Sequence, residues 1–412
     1  MPTAQTQRDD VLTVNAGSSS LKVALFALPG TDAAIVGAEV ERIGQPNSVL
    51  RVTSSADGTT PAHAVDAPDH PAALRAIFEW LRGNCEWLRD AGHAQPFKAV
   101  AHRIVHGGPH YRDPLRITDR VLTDLRALLW IDPDHMPHAL ATIEAIAESY
   151  PNVPQIACFD TAFHRTLPHV AQMYALPRRF WDAGVRRYGF HGLSCESIMH
   201  TLSRIAPAAA AGRVIIAHLG NGASLTAVRN GLSVETTMGF SPTGGLVMGA
   251  RSGDLDPSVL LDALRREQMS PEAISRLVTH EAGLLGVSET SQDMRDLLER
   301  EPTDARAADA IALFCYTVRK YIGALVAVLG GLDTIVFTGG IGTHAAPVRA
   351  RICEGLDAFG LAVDAARNAA HAAIISPEGR ACVIRVMETD EDQMLARHAR
   401  RLLSGDEEGI HT

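Results

Sequence analysis

No G-x-x-x-x-G-K-[ST] run occurs in the 412 residues, which removes a P-loop. No G-x-G-x-x-G opens a helix after an apolar strand, which removes a Rossmann-type dinucleotide site. The cysteines (85, 158, 195, 315, 353 and 382) include no C-x-x-C pair, so zinc and dithiol redox signatures are missing and reduced thiols in a cytoplasmic setting are expected. Positive charge is also short: 38 Lys and Arg against 47 Asp and Glu give a net charge of -9, which excludes a general nucleic-acid binder. Long apolar runs are lacking as well. The longest, 322–332, stops at Asp333, and residues 1–10 are polar rather than signal-like. The expectation is a soluble protein with no membrane and no nucleic-acid partner.

What is present is an ordinary globular composition, 46% hydrophobic and 21% charged, in a chain long enough for two domains. An internal echo gives those domains a plan. Residues 11–26, VLTVNAGSSSLKVALF, read as strand, tight turn, strand. Residues 213–228, RVIIAHLGNGASLTAV, read the same way about half a chain later. Two such units suggest duplicated domains, each contributing a hairpin. Elsewhere, Pro71 to Arg89 is amphipathic, with Leu74, Ile77, Phe78, Leu81 and Leu88 at helical spacing. Strands are expected over 98–106, 155–160, 334–338 and 383–386, with a polar helix over 392–403 and a frayed tail from Ser404. A helix after Thr303 carries Ala308, Ile311, Cys315, Val318, Ile322 and Leu325 on one stripe.

With a P-loop excluded, any phosphate must be held by the glycine turns. Ser18, Ser20 and Lys22 add donors and charge to the first turn, and His218-Leu219-Gly220-Asn221-Gly222 offers the second. A third, Thr338-Gly-Gly340-Ile341-Gly342, leaves a strand toward a helix expected near Ala345. Charged residues stand in glycine-flanked turns: Arg103 before Gly107-Gly108, His191 before Gly192, and Arg251 between Gly249 and Gly253. Asp160 ends a strand in Phe-Asp160-Thr-Ala-Phe-His164.

These segments, in this order, resemble the signatures of the acetate kinase family. The likeness rests on VNAGSSSLK (14–22), HRIVHGG (102–108), FDTAFH (159–164), RYGFHG (187–192), HLGNG (218–222), TTMGF (236–240), RSGDLDP (251–257) and GIG (340–342). It implies an α/β fold of two similar lobes of the actin-like ATPase (ribonuclease H-like) type, with a nucleotide and substrate cleft between them. It implies an N-terminal lobe of residues 1–160 with 394–412, and a nucleotide-binding and dimerising lobe of 161–393. The implied reaction is reversible, magnesium-dependent phosphoryl transfer between ATP and acetate, direct and in line; propionate or another short-chain acid is the alternative, and a non-catalytic nucleotide switch a distant one.

Residue by residue, the resemblance implies that Arg103 and Arg251 clamp the carboxylate and the phosphoryl oxygens. His191 would contact the phosphoryl group and His135 the carboxylate, with Asp160 as the essential acid. Val105 and Pro242 would line the methyl end of the acid. Asn15 and Glu391 would hold Mg²⁺ (Mn²⁺ as a substitute), with Asp390 an alternative to Glu391. ATP or ADP would lie against Lys22, residues 218–222, Gln292, Asp293, Met294, Arg295 and Gly340 to His344. The chain departs from the family at Thr343-His344, where Glu-Asn is usual, and at Ser241-Pro242-Thr-Gly-Gly245 and Asp134-His135-Met136, which the resemblance would place beside the acid pocket. A homodimer is the implied assembly.

Overall fold

The computed structural model describes residues 9–28, 33–54, 58–84 and 96–405. The readings made for residues 1–8, Cys85, Leu88 and the tail from 406 fall outside them. The chain divides into two compact units, Met1–Ala162 with Asp390–Thr412, and Phe163–Thr389.

The first unit is built on a nine-stranded sheet. Its strands are β1 (Asp9–Ala16), β2 (Ser20–Leu28), β3 (Val36–Glu41), β4 (Val49–Ser54), the short β5 (Gly58–Thr59) and β6 (His63–Ala64), β7 (Ala99–Ile104), β8 (Leu115–Arg116) and β9 (Gln155–Phe159). The order is β5-β4-β3-β2-β1-β7-β9-β8, with β6 on β4. β1 runs antiparallel to β2 and parallel to β7, so it lies inside the sheet with both faces covered. That is why Val11, Leu12, Val14 and Ala16 are all buried and the run does not alternate. Helix α1 (His70–Asn84) buries Ala73, Leu74, Ile77, Phe78 and Leu81 in the core shared with β1 and β2. Helix α2 (Met136–Ser149) buries Leu140, Ile143 and Ile146. The C-terminal helix Glu391–Ser404 buries Met394, Leu395, Ala396 and Ala399 in the same unit. The strand expected over 98–106 is shorter because its parallel partner β9 begins opposite Val100 and ends opposite Ile104, leaving nothing for Val105 to pair with.

The second unit repeats the plan. β10 (Arg213–Leu219), β11 (Ala223–Arg229), β12 (Leu232–Thr236), β13 (Thr334–Thr338) and β14 (Val383–Val386) stand in the order β12-β11-β10-β13-β14. β10 is antiparallel to β11 and parallel to β13, and β13 is parallel to β14. The first unit holds β3-β2-β1-β7-β9 in the same relations. The two echoed hairpins are therefore the same pair of strands in two copies of one sheet.

Helices α3 (Gly192–Ile205) and α4 (Ala305–Leu329) cover this sheet. Along α4 the buried stripe runs through Ala307, Ile311, Phe314, Cys315, Val318, Ile322 and Leu325; Ala308, expected on it, is only half-buried because the helix turns one position away. By length and composition α4 could cross a bilayer, but this stripe is packed into the core instead. Two further helices, α5 (Gly339–His344) and α6 (Ala346–Cys353), follow β13. The helix expected near Ala345 is α6, which begins at Ala346, and the glycine turn before it is itself helical. Thr343 Oγ1 bonds back to the Gly339 carbonyl (3.0 Å), and Gly339, at φ +75°, seats its bare Cα against the Leu219 backbone. Cys158, Cys195, Cys315, Cys353 and Cys382 are buried free thiols.

Two buried histidines set a pH limit on the fold. His102 in β7 donates through Nε2 to Gln155 Oε1 (2.7 Å), and burial pulls its pKa down to about 4. His164 is likewise pulled down to about 4 by burial. Their folded values lie below the unfolded 6.5, so the stability they contribute is complete above about pH 6.5 and is lost as pH falls toward 4, on the order of 3 kcal/mol for each group as an upper limit. Between pH 7 and 4.5 the urea midpoint should fall steeply. In His102→Gln, which keeps a donor for Gln155 but cannot take up a proton, the fall should be shallower; identical slopes would refute the assignment.

Candidate active site

The parallel registers bring the carboxyl ends of β1, β7 and β9 side by side, where open α/β sheets collect ligand-binding groups. Asn15, Arg103 and Asp160 come from these three ends. Arg103 Nε donates to both Asp160 oxygens (3.1 Å each) and Nη2 to Oδ2 (2.6 Å). Its Nη1 donates to Asn15 Oδ1 (3.1 Å), and Asn15 Nδ2 donates to Glu391 Oε2 (2.9 Å) at the start of the C-terminal helix. Glu391 also lies 3.7 Å from Arg103 Nε. Burial opposes the charge on Arg103, but Asp160 and Glu391 outweigh it and hold the guanidinium above its ordinary pKa. Burial pushes the Asp160 carboxyl up, and Arg103 opposes that shift.

His135, at the start of α2, is fixed by buried Asp132, which takes its Nδ1 at 2.9 Å and its backbone N–H at 3.2 Å. Val105 is buried just past β7. In the first turn Ser18 is exposed and Ser20 half-buried; Lys22, opposite Asn15 in the ladder, reaches Glu39 at 3.5 Å.

In the second unit His191 sits in the left-handed region (φ 58°) at the N-terminus of α3. Its Nδ1 is 3.0 Å from Ser224 Oγ, and its ring lies 4.4 Å from that of His218. A Cβ on Gly222 would stand 3.1 Å from His191 Nε2 and 3.7 Å from Arg251 Nη1, so glycine keeps a corner open where both donors meet. Arg251 Nη1 also donates to the Pro242 carbonyl (3.1 Å), and Gly249 N–H to that of Asn221 (2.9 Å). The second bond ties the loop carrying Arg251 to the 218–222 turn, and the first holds Arg251 within its own loop.

The remaining nucleotide candidates are also in this unit. His218 pairs in register with Thr338, so the turns after β10 and β13 leave the same sheet edge. Asp293 caps the helix Met294–Arg300 and pairs with Arg295 (2.9 Å), while Met294 is buried and can offer only backbone. The side chains of Leu219 and Thr343 are buried too, whereas exposed His344 reaches Glu388 at 3.9 Å. Arg103 and Arg251 belong to different units.

Sequence reasoning assigned no role to Ser224, Asp132 or Arg349. Arg349 is fully buried and donates to the carbonyls of Gly342 (2.9 Å), Thr343 (2.8 Å) and Asn368 (3.0 Å) and to Asn368 Oδ1 (2.8 Å). An arginine at an inward position of a short helix, seven residues past Gly342, was the available signal.

The acetokinase family model matches residues 10–397. The chain belongs to this family. It is 45% identical to the acetate kinase of Methylocella silvestris, across 95% of this chain and 98% of that one. Among solved structures it is similar to the acetate kinase of Porphyromonas gingivalis (33% identity, TM-score 0.83, 96% of this chain and all of that one). It is also similar to a propionate kinase from Francisella tularensis (31% identity, TM-score 0.86, 95% and 98% covered). The duplicated sheets are accordingly those of the two-lobed actin-like ATPase fold, and the family places the chain among kinases with a carboxyl acceptor.

Proposed function

We propose that this enzyme transfers the γ-phosphoryl group of ATP to acetate, reversibly, giving acetyl phosphate and ADP. The observation that carries the reading is the open corner at Gly222, where His191 Nε2 and Arg251 Nη1 converge as a donor pair for phosphoryl oxygens. Acetate is a nucleophile at neutral pH without losing a proton, so the protein need only position it and neutralise charge in a loose transition state. One in-line displacement does this, and it inverts a chirally labelled phosphorus.

In this reading Arg251 and Arg103 bind the oxyanions through planar forks. Asp160 holds Arg103 in place until acid and nucleotide arrive. His135 faces the carboxylate, and Val105 and Pro242 bound its methyl group. The turns at 218–222, 293–295 and 340–344, with Ser18, Ser20 and Lys22, carry the nucleotide. His135 and Val105 belong to the first unit, and the turns at 218–222, 293–295 and 340–344 to the second.

A hard divalent cation suits the remaining donors. Glu391 offers a carboxylate and Asn15 an amide oxygen. Among the described residues no group of three or more His, Cys, Asp or Glu could hold a metal alone. A carboxylate and an amide oxygen are hard donors of the kind Mg²⁺ (or Mn²⁺) takes, an ion that keeps several waters. When bound, the ion would supply charge neutralisation to the nucleotide's phosphates, with Glu391 and Asn15 as the residues that would hold it. The expected assembly is a homodimer through the second unit, where Val170, Leu176, Leu255, Val259, Leu264 and Tyr316 are exposed. A monomeric mass in sedimentation equilibrium at micromolar concentration would remove that part.

The decisive experiment is hydroxamate trapping of acyl phosphate with acids of two to four carbons. Acetate should give the highest kcat/KM, with propionate about 10- to 200-fold lower, the range one methylene can command. ATP hydrolysis indifferent to every acid would overturn the proposal.

A further inference from the structure

We propose that His164 is a positioning residue for phosphoryl transfer, locking the turn that aims His191. The inference rests on the reading of His191 as a donor to the phosphoryl group.

His164 is fully buried between the turn 188–191 and β12. Its Nε2 lies 2.9 Å from the Phe190 carbonyl and its Nδ1 2.9 Å from Ser233 Oγ on β12. A carbonyl can only accept, so Nε2 carries the proton. Burial keeps the ring neutral, with a pKa near 4, so Nδ1 is bare and the Ser233 hydroxyl donates to it. Both ring nitrogens are therefore used, each in a fixed sense. Ser233 is held in turn, since its own carbonyl accepts from Thr166 Oγ1 at 2.8 Å.

The bond to Phe190 has a specific consequence. That carbonyl belongs to the same peptide plane as the His191 N–H, so holding it fixes the rotation that sets φ of His191. That φ is +58°, a conformation side-chain-bearing residues adopt only when surrounding contacts impose it. The neighbour completes the lock. Gly189 lies at φ +78°, and a Cβ there would stand 2.7 Å from both the His164 ring and Thr236 Cγ2. The His164 ring is thus the surface on which the turn folds, while Ser224 orients the His191 ring from the other end. Backbone and ring of His191 are held by separate residues, which leaves Nε2 toward Gly222.

A pair of substitutions separates this role from bulk packing. The glutamine amide can take the place of Nε2 and keep the donor to Phe190, whereas the asparagine amide reaches only as far as Nδ1. His164→Asn should lower kcat on the order of 10- to 100-fold, the scale of a small misplacement of a reacting group, with KM for ATP and acetate within about twofold. His164→Gln should recover most of that loss. In a His191→Ala background the His164→Asn change should cost less than about twofold, because the group it positions is gone. If His164→Asn does not fold, Ser233→Ala, which releases Nδ1, carries the same cycle. A deeply impaired His191→Ala enzyme in which the second change still costs its full factor would overturn the inference alone, as would a loss that glutamine does not rescue. A His191→Ala enzyme of near-normal rate would instead remove the parent reading of His191.

Discussion

Arg251→Ala should lower turnover on the order of 10²- to 10³-fold, the scale seen when one preorganised donor is removed from a developing oxyanion. Its guanidinium is tied to the 237–256 loop through the Pro242 carbonyl and stands beside His191 at Gly222. In the proposed role it meets charge on the transferring group more strongly than charge on bound ATP, so the loss should appear in kcat more than in KM. Arg251→Lys should recover little, since an ammonium cannot reproduce a planar fork. Near-normal turnover in Arg251→Ala would show that the open corner does not serve the phosphoryl group. Arg103→Ala should be at least as damaging to rate, but it is the less clean test. It leaves the fully buried Asp160 without its ion-pair partner, and orphaning a buried charge costs about 3–5 kcal/mol of stability.

Arg349→Met should combine a large loss of stability with a specific loss of nucleotide affinity. The substituted side chain fills much of the volume, yet it leaves the carbonyls of Gly342, Thr343 and Asn368 and the amide oxygen of Asn368 without their buried donor. Each unsatisfied acceptor costs about 1–3 kcal/mol, so a total of several kcal/mol is expected after relaxation, read as a lowered urea midpoint. Gly342 and Thr343 are in the turn proposed to carry the nucleotide. KM for ATP should therefore rise at least about tenfold while KM for acetate stays close to normal, as a disturbed turn on the nucleotide side requires. An equal rise in both constants would mean that Arg349 supports the fold in general and not that turn.

Much of the fold was legible because its signals are local. The runs at 11–26 and 213–228 alternate apolar stretches with glycine and serine turns, and both fold as the hairpins that pattern demands. Thr334–Thr338 and Val383–Val386 are strands with the bounds expected. The glycine turn after β13 was misjudged for a physical reason. Three glycines in four residues argue against helix by propensity, and bonds from distant Arg349, with one from Thr343, support helix there.

The candidate site divides along the same line. Arg103, Asp160, His191 and Arg251 could be picked out from their glycine-flanked or strand-end settings, since such settings are visible in a few consecutive residues. Their partners could not. Ser233 reaches His164 across 69 positions, and Ser224 reaches His191 across 33. Serine at such places looks like any solvated residue until the sheets are assembled.

By itself, then, the amino-acid sequence determined the strand-and-turn units, their duplication and the residue types proposed to meet phosphate and carboxylate. Tertiary structure alone decided which groups hold those residues in working orientation, because a hydrogen bond between distant positions is chosen by the packing of whole sheets. No short-range pattern encodes that choice.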